Sequence, residues 1–355
     1  MKKILMKGNE AIARSAILGG CEAFFGYPIT PQNEIPEYLS KYLPEAGKVF
    51  VQAESEIASI NMVYGAAAAG VRVMTSSSSP GIALMQEGIS YLCGAELPCV
   101  IVNVMRGGPG LGGIQPSQSD YFQITRGGGN GDYRVLAYAP ENLQETVDLM
   151  KEAFEIADYY RNPVMIAVDG LIGQMMESVS LDREVKKRVI PEKNWAASGG
   201  HTGKERRIVT SLFLDPEKLE EHNLRLAKKY KVMIADEQKY ELSNAEEAEF
   251  IIVAYGTMAR IVRSAIEILK DQGIKVGLLK PLTLWPYPKN AFSKLPKSLK
   301  GILVAELSLG QMLDDVKICN EGRFPLSFFG RVGGVLPEPE EIAEALLKFK
   351  MEVSR

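Results

Sequence analysis

The sequence has few of the residues from which common metal and nucleophile sites are built. It contains only two histidines, His201 and His222, which leaves little material for a histidine-rich metal site or a Ser-His-Asp triad. Its four cysteines include no CxxC pair, so an iron–sulfur cluster or a structural zinc held by this chain alone is not expected. We therefore predict that the cysteines are reduced and behave as small apolar side chains.

Long apolar runs and excess charge are also missing. No stretch approaches the roughly 18 consecutive apolar residues of a membrane-spanning helix, and the first residues lack the apolar core of a secretory signal. The formal net charge of −3 gives no general attraction to nucleic acid or to anionic membranes. We expect a cytoplasmic protein with no nucleic-acid partner and no membrane partner.

What is present is a globular composition arranged in a regular alternation. Apolar residues make up 46% of the 355 residues, enough for a sizeable core. In the first half, short β-branched runs alternate with helix-like stretches, which predicts a mainly parallel sheet with helices on both faces. The predicted strands there are residues 22–27, 49–53, 71–75, 99–105 and 164–168. The predicted helices there are residues 9–18, 55–69, 81–93 and 141–160.

Composition divides the chain into three parts. Residues 1–180 carry the first α/β alternation, and residues 246–355 carry a second, smaller one. Residues 181–245 are rich in charged side chains and read as a solvated connector with one exposed helix at 216–230. The single strand signal in the connector is residues 207–212.

Four polar or glycine-rich segments each follow a predicted strand or open a helix, and ligands of open parallel sheets bind at the carboxyl ends of strands. They are residues 26–31 (GYPITP), 54–58 (ESEIA), 106–120 (RGGPGLGGIQPSQSD) and 126–132 (RGGGNGD). None matches GxxxxGK[ST], and none is a GxGxxG between a strand and a helix, so ordinary P-loop and dinucleotide sites are excluded.

Taken singly, the segments have structural explanations. Thr30 could cap a helix that begins at Pro31. Glu56 could be a first-turn carboxylate that the helix dipole favours, or it could point into an apolar pocket and share a proton with a ligand nitrogen. Arg106 could be solvated on a flexible loop, or it could bind a carboxylate through two parallel hydrogen bonds.

In combination, these segments resemble the α subunit of 2-oxoacid:ferredoxin oxidoreductases over essentially the whole chain. The similar motifs are residues 27–31 (YPITP), 55–56 (SE), 106–108 (RGG), 253–257 (VAYGT), and Glu306 with residues 310–311 (GQ). The resemblance implies a doubly wound, pyrimidine-type thiamine-diphosphate-binding domain followed by a smaller transketolase C-terminal-like α/β domain.

The resemblance also implies roles for five residues. Glu56 is expected to be the catalytic residue that hydrogen-bonds the pyrimidine nitrogen of thiamine diphosphate, with Tyr27 and Pro28 beside the cofactor. Thr30 is expected to hydrogen-bond the 2-oxoacid, and Arg106 to pair with its carboxylate. No metal ligand is expected on this chain.

Partners are implied in the same way. In this family a GDG segment on the β subunit holds the diphosphate and its Mg²⁺; here Gly131 and Asp132 are followed by Tyr133, so that motif is incomplete. We expect a β subunit, a γ subunit and a ferredoxin-like δ subunit that carry the Mg²⁺ and the [4Fe–4S] clusters. Coenzyme A is the expected co-substrate and ferredoxin the expected electron acceptor.

The expected activity is oxidative decarboxylation of a 2-oxoacid to an acyl-coenzyme A and CO₂. The loop after Arg106 has no cation, and Ile114, Gln115 and Ser117 suit an uncharged substrate tail, which favours 2-oxoisovalerate. Two alternatives stay open at this point. One is the same enzyme class acting on 2-oxoglutarate or pyruvate, and the other is a non-catalytic assembly subunit.

Overall fold

The computed structural model describes residues 3–199 and 205–354, so His201 lies outside the described residues. In chain order the strands are β1 (Ile4–Lys7), β2 (Ala23–Gly26), β3 (Val49–Gln52), β4 (Val73–Ser77), β5 (Cys99–Met105), β6 (Leu136–Tyr138), β7 (Pro163–Asp169), β8 (Met176–Val179), β9 (Tyr240–Ser243), β10 (Phe250–Val253), β11 (Val276–Pro281), β12 (Thr283–Trp285), β13 (Gly301–Glu306) and β14 (Leu326–Gly330). The helices are α1 (Gly8–Leu18), α2 (Glu34–Glu45), α3 (Glu56–Ala68), α4 (Ser79–Gly94), α5 (Tyr121–Arg126), α6 (Leu143–Tyr160), α7 (Gly170–Gln174), α8 (Pro216–Asp236), α9 (Gly256–Asp271), α10 (Lys289–Phe292), α11 (Gln311–Asn320) and α12 (Pro339–Val353).

The first half of the chain builds a seven-stranded sheet in the order β12-β6-β7-β5-β4-β2-β3. All of its neighbouring strands are parallel except the β12–β6 pair. Every residue of β4, β5 and β7 is buried, as expected for parallel strands covered by helices on both faces. The predicted parallel α/β sheet is confirmed.

A second sheet follows in the order β14-β13-β10-β11-β9. Its strands pair in parallel, except that β9 runs antiparallel to β11. Helices α9 and α12 pack together over its apolar face. The second α/β alternation predicted for residues 246–355 is therefore present, and the predicted combination of a large and a smaller α/β unit is confirmed.

The connector contains one error of the sequence analysis. Residues 207–212 form no strand, and the side chains of Ile208 and Leu212 are exposed. These residues have a β-branched composition, but no neighbouring strand pairs with them. A strand needs such a partner to satisfy its backbone hydrogen-bonding groups. The division of the chain near residues 180 and 245 stays a prediction.

Helix α8 is charged on its outer face, as its sequence suggested, but it also has a buried stripe. His222, Leu226, Tyr230 and Met233 lie on that stripe. His222 Nε2 lies 2.7 Å from the Gly94 carbonyl oxygen at the end of α4. The spacing of these residues by about one helical turn lets the helix dock onto the first sheet unit.

The two units are joined by buried hydrogen bonds. The side chain of Gln118 donates to the Tyr255 carbonyl at 2.7 Å and accepts from the Leu307 amide at 2.8 Å. Thr257 donates to Asp169 through its hydroxyl at 2.7 Å. Because these bonds are buried and run from one unit to the other, they fix the relative position of the two units.

Candidate active site

The turn after β2 brings the first predicted site residues to the carboxyl edge of the sheet. Gln32 is fully buried and ties this turn down: it accepts a hydrogen bond from Ser76 at 2.6 Å and donates one to the Tyr27 carbonyl at 3.2 Å. Helix α2 begins at Glu34, with Asn33 as the residue before it. The helix-capping explanation of Thr30 is therefore wrong.

Thr30 is exposed and available to a ligand. Its hydroxyl has one weak contact, a hydrogen bond from Asn33 at 3.4 Å. Tyr27 is also exposed and precedes Pro28 at the same turn. The proline-flanked turn therefore presents a stiff backbone and a free hydroxyl at the surface of the strand edge.

Arg106 stands at the end of β5 and is only 7% exposed. Its Nη1 donates to the Thr30 carbonyl at 2.9 Å, and its Nη2 donates to the Leu111 carbonyl at 3.1 Å. Its Nε is buried without a hydrogen-bond partner. Within residues 3–199 and 205–354, no acidic side chain forms an ion pair with it. A buried guanidinium held only by neutral carbonyls is suited to an incoming anion, because a buried charge without a counterion is unfavourable.

A second polar layer supports the Arg106 backbone. The Arg106 amide donates to Ser79 Oγ at 3.0 Å, and Asn103 donates to Asp120 at 2.9 Å. Burial raises the pKa of the Asp120 carboxyl, although hydrogen bonds from Ser79 and Asn103 and the charge of Arg106 act in the opposite direction. This layer fixes the main chain on which the guanidinium is mounted.

Glu56 is the first residue of α3, and Ser55 caps that helix by accepting from the Ala58 amide at 3.2 Å. The Glu56 side chain is 6% exposed. Its carboxylate has no hydrogen bond or ion pair with any residue that the structure describes. The structure thus places a nearly buried acid at the carboxyl edge of the sheet, where its sequence position predicted it.

Gly81, in the first turn of α4, makes room for this carboxylate. A methyl group on Gly81 would lie 2.6 Å from Glu56 Oε1 and 2.0 Å from Ser77 Oγ. Both distances are shorter than a non-bonded carbon–oxygen contact, so any side chain at Gly81 would have to displace the Ser77 hydroxyl and the Glu56 carboxylate.

Ser77 and Ser78 were missed by the sequence analysis. Both hydroxyls are buried and lack hydrogen-bond partners among the described residues. They belong to a run of four serines, residues 76–79, that directly follows an apolar strand. The strand-end argument that selected the other segments could also have found this one.

These features fit the aminopyrimidine end of thiamine diphosphate. Such a ring offers several hydrogen-bonding atoms, and the site offers a carboxylate without a partner beside an unpartnered buried hydroxyl. The Gly131 and Asp132 segment, by contrast, is exposed on the loop after α5. The fit therefore concerns the ring of the cofactor and does not extend to its diphosphate.

One acidic cluster elsewhere has the spacing of metal ligands but holds an ammonium group instead. Oxygen atoms of Glu141, Glu145 and Glu241 lie within 4.8 Å of one another. Lys280 Nζ lies 3.0 Å, 2.5 Å and 3.1 Å from their nearest oxygens. The lysine already neutralises the charge that a cation would neutralise.

The faces of α3 and α4 beside this site are unusually apolar for a surface. From Ile57 to Val71 the chain has no charged side chain. Four large apolar side chains on these helices are exposed, namely Ile57, Met62, Leu84 and Tyr91. Exposed apolar side chains on neighbouring helices are common at protein–protein contacts. No helix in the described part of the chain is long and apolar enough to cross a bilayer.

Comparison with known proteins agrees with the geometry. Residues 14–248 match the family described as "Pyruvate flavodoxin/ferredoxin oxidoreductase, thiamine diP-bdg". Residues 248–342 match "Pyruvate:ferredoxin oxidoreductase core domain II". Ketoisovalerate oxidoreductase subunit VorB of Methanothermobacter thermautotrophicus is 48% identical over 96% of both chains. The 2-oxoglutarate synthase subunit KorA of the same organism is 37% identical over 98% of this chain and 99% of its own.

Solved structures give the same result. A 2-oxoglutarate:ferredoxin oxidoreductase from Magnetococcus marinus, with 2-oxoglutarate, coenzyme A and succinyl-CoA bound, superposes with a TM-score of 0.87 at 29% identity. The match covers 99% of this chain and 65% of that one. A split-gene transketolase shares the fold alone, with a TM-score of 0.61 at 15% identity. The chain belongs to the thiamine-dependent 2-oxoacid:ferredoxin oxidoreductase family.

Proposed function

We propose that this chain is the α subunit of a 2-oxoacid:ferredoxin oxidoreductase and holds both the pyrimidine end of thiamine diphosphate and the carboxylate of a branched-chain 2-oxoacid. One observation carries the proposal. Two nearly buried charged side chains, Glu56 and Arg106, lie at strand ends of one sheet edge and have no ion-pair partner among the described residues. Uncompensated buried charges are unfavourable in a structural role and are typical of sites that bind a complementary ligand.

Each residue then has a stated task. Bound thiamine diphosphate supplies the carbanion chemistry that decarboxylates a 2-oxoacid. The Glu56 carboxylate hydrogen-bonds a pyrimidine nitrogen and shares a proton with that nitrogen. Tyr27 and Pro28 flank the cofactor. Arg106 pairs with the substrate carboxylate, and the free hydroxyl of Thr30 hydrogen-bonds the substrate. A charge-assisted hydrogen bond of this kind contributes about 1.5–3 kcal/mol.

Substrate preference is supported by the cavity beside Thr30, which has a volume of about 370 Å³. Ile114, Gln115 and Leu171 line it, and no lysine or arginine does. Its one charged lining group is Glu34, which forms an ion pair with Lys7, so no lining residue offers a cation to a second substrate carboxylate. Ser117, in contrast, points toward the second unit and donates to the Leu307 carbonyl at 3.4 Å. These features favour 2-oxoisovalerate over 2-oxoglutarate, and so does the higher identity to the subunits named for ketoisovalerate.

Partner subunits complete the proposed enzyme. The apolar faces of α3 and α4 adjoin Glu56, so a β subunit seated there would reach the cofactor and supply the diphosphate and Mg²⁺ site. The described cysteines are buried, and we assign the [4Fe–4S] clusters to the γ and δ subunits. Coenzyme A receives the acyl group and ferredoxin the electrons, and we place the complex in the cytoplasm.

The test is reconstitution of the complex. The chain is co-expressed with the subunits encoded beside it, and coenzyme A- and thiamine-dependent reduction of a viologen dye is measured with 2-oxoisovalerate, 2-oxoglutarate and pyruvate. We expect the highest kcat/KM with 2-oxoisovalerate and no reduction when this subunit is omitted. Activity confined to 2-oxoglutarate or pyruvate would overturn the substrate assignment. Full activity without this subunit would show that it has an assembly role instead.

A matched pair of variants tests the site itself. Glu56→Gln keeps the size of the side chain but removes its charge, and we expect turnover to be lost while the subunits still assemble. Glu54→Gln, two residues earlier at an exposed position, is the control and should retain the parental rate. A Glu56→Gln complex that turns over at the parental rate would remove Glu56 from the proposed chemistry.

A further inference from the structure

Ser77 is the last residue of β4. In the run of four serines that it belongs to, Ser76 donates to Gln32 and Ser79 bonds the backbone of Arg106. The hydroxyls of Ser77 and Ser78 both lack a partner among the described residues, and that of Ser77 shares the space beside Gly81 with the Glu56 carboxylate. The Ser77 hydroxyl is fully buried and has no hydrogen-bond partner among the described residues. A buried hydroxyl without a partner is costly, so its retention requires a reason.

The packing around Gly81 shows where this hydroxyl points. The position that a side-chain carbon of Gly81 would occupy is 2.0 Å from Ser77 Oγ and 2.6 Å from Glu56 Oε1. The two oxygens therefore face the same small space above the first turn of α4. This space is open because Gly81 has no side chain.

We propose that Ser77 is a positioning residue for the catalytic acid: its hydroxyl donates to Glu56 Oε1 and leaves the second carboxylate oxygen for the pyrimidine ring. Gly81 keeps the space open in which this bond forms. The inference rests on the proposed function of Glu56 and deepens it. Ser77 does not touch the substrate in this account, and it acts only through the carboxylate.

The arrangement has two consequences that a packing role would not have. A hydroxyl that donates to a carboxylate favours its ionised form, so losing it shifts the acidic limb of the pH–rate profile toward higher pH. It also fixes one side-chain torsion of the acid before the cofactor arrives, so losing it weakens cofactor binding. A serine that merely fills space affects stability and moves neither quantity.

The experiment uses the assembled complex and compares two substitutions that each remove a buried hydroxyl. Ser77→Ala is the test. Thr75→Val is the control, because Thr75 lies two residues earlier on the same face of β4 and also has a buried hydroxyl without a partner. Two quantities are measured: the pH profile of kcat, and the affinity of the cofactor-depleted complex for thiamine diphosphate by titration calorimetry.

For Ser77→Ala we expect an affinity for thiamine diphosphate lower by on the order of tenfold and an acidic limb displaced to higher pH. Thr75→Val should keep both quantities at the parental value, and Ser77→Thr, which retains the hydroxyl, should restore them in large part. Equal behaviour of Ser77→Ala and Thr75→Val, in a complex that Glu56→Gln inactivates, would overturn this inference alone. If the function proposed above is wrong, the result is different: the parental complex itself has no thiamine-dependent turnover.

Discussion

Replacing Lys280 with methionine should destabilise the protein by about 3 kcal/mol, because it removes the cation from a cluster of three carboxylates. The Lys280 side chain is 2% exposed and lies on β11 of the second unit. Glu141 and Glu145 belong to the first unit, at the start of α6, and Glu241 lies on β9. The lysine therefore links the two units through charge.

The size of this loss in stability depends on how well each carboxylate is hydrated or paired after the lysine is removed. Removing one partner of a buried ion pair costs roughly 3–5 kcal/mol. Glu145 and Glu241 are 28% and 39% exposed and can be rehydrated, whereas Glu141 is 7% exposed. Arg263 still pairs with Glu141 at 2.7 Å, which places the loss at the lower end of the range. For a chain of 355 residues we expect the melting temperature to fall by about 4 °C.

The effect should depend on pH in a definite direction. Partial burial alone would raise the pKa of Glu241. Hydrogen bonds from Ser243 and Lys280 and the charge of Lys280 outweigh burial and lower this pKa from 4.5 to about 2. That stabilisation is present above about pH 4.5 and is lost as the pH falls toward 2. Burial would lower the pKa of Lys280, but Glu145 and Glu141 raise it above 10.5, so its contribution is lost only as the pH rises beyond that value.

Calorimetry and urea unfolding between about pH 3 and pH 10 measure the loss of stability and the pH range over which it occurs. Lys275→Met is the matched control, because Lys275 forms a single ion pair with Glu247 at 2.7 Å and both side chains are more than half exposed. The control should change stability by less than about 0.5 kcal/mol. The reasoning is refuted if the two variants lose equal stability at neutral pH, or if the Lys280→Met deficit is constant across the pH range.

Three further substitutions follow from the site. Arg106→Lys keeps the charge but not the forked donor geometry, and kcat/KM for the 2-oxoacid should fall about 10- to 100-fold; an unchanged value removes Arg106 from the substrate site. Gln118→Leu takes the side-chain partner from the buried Leu307 amide, while the Tyr255 carbonyl still accepts from Ala259, so the free energy of unfolding should fall by about 1–3 kcal/mol in urea titrations; parental stability contradicts its bridging role. Gly81→Ala should weaken thiamine diphosphate binding in calorimetry, and parental affinity would mean that the Glu56 pocket tolerates a methyl group.

The sequence predicted the sheets well because local composition decides them. Strand β10 is a continuous run of β-branched and apolar residues, and β5 is one apart from Asn103; the turns between elements carry glycine and proline. The site segments could be located for a related reason: chain order places each strand end on the same edge of a parallel sheet.

What could not be predicted depends on contacts between distant parts of the chain. Residues 207–212 have a strand composition but no neighbouring strand, whereas β12, with three residues, is a strand only because β6 offers an edge. The direction of the Ser77 hydroxyl is likewise set by the absence of a side chain at Gly81, a feature of packing that a run of serines does not reveal.

The pairing of β12 with β6 limits how this chain can be divided. Thr283 lies opposite Tyr138 in that pairing, so a segment from the second unit closes one edge of the first sheet. A protein engineer who cut the chain at its apparent boundary near residue 245 would expose the backbone groups of β6. Such an open edge is a template for unwanted strand addition, so the shortened product would tend to self-associate. The two halves of the chain should therefore be expressed, and exchanged between proteins, as one piece.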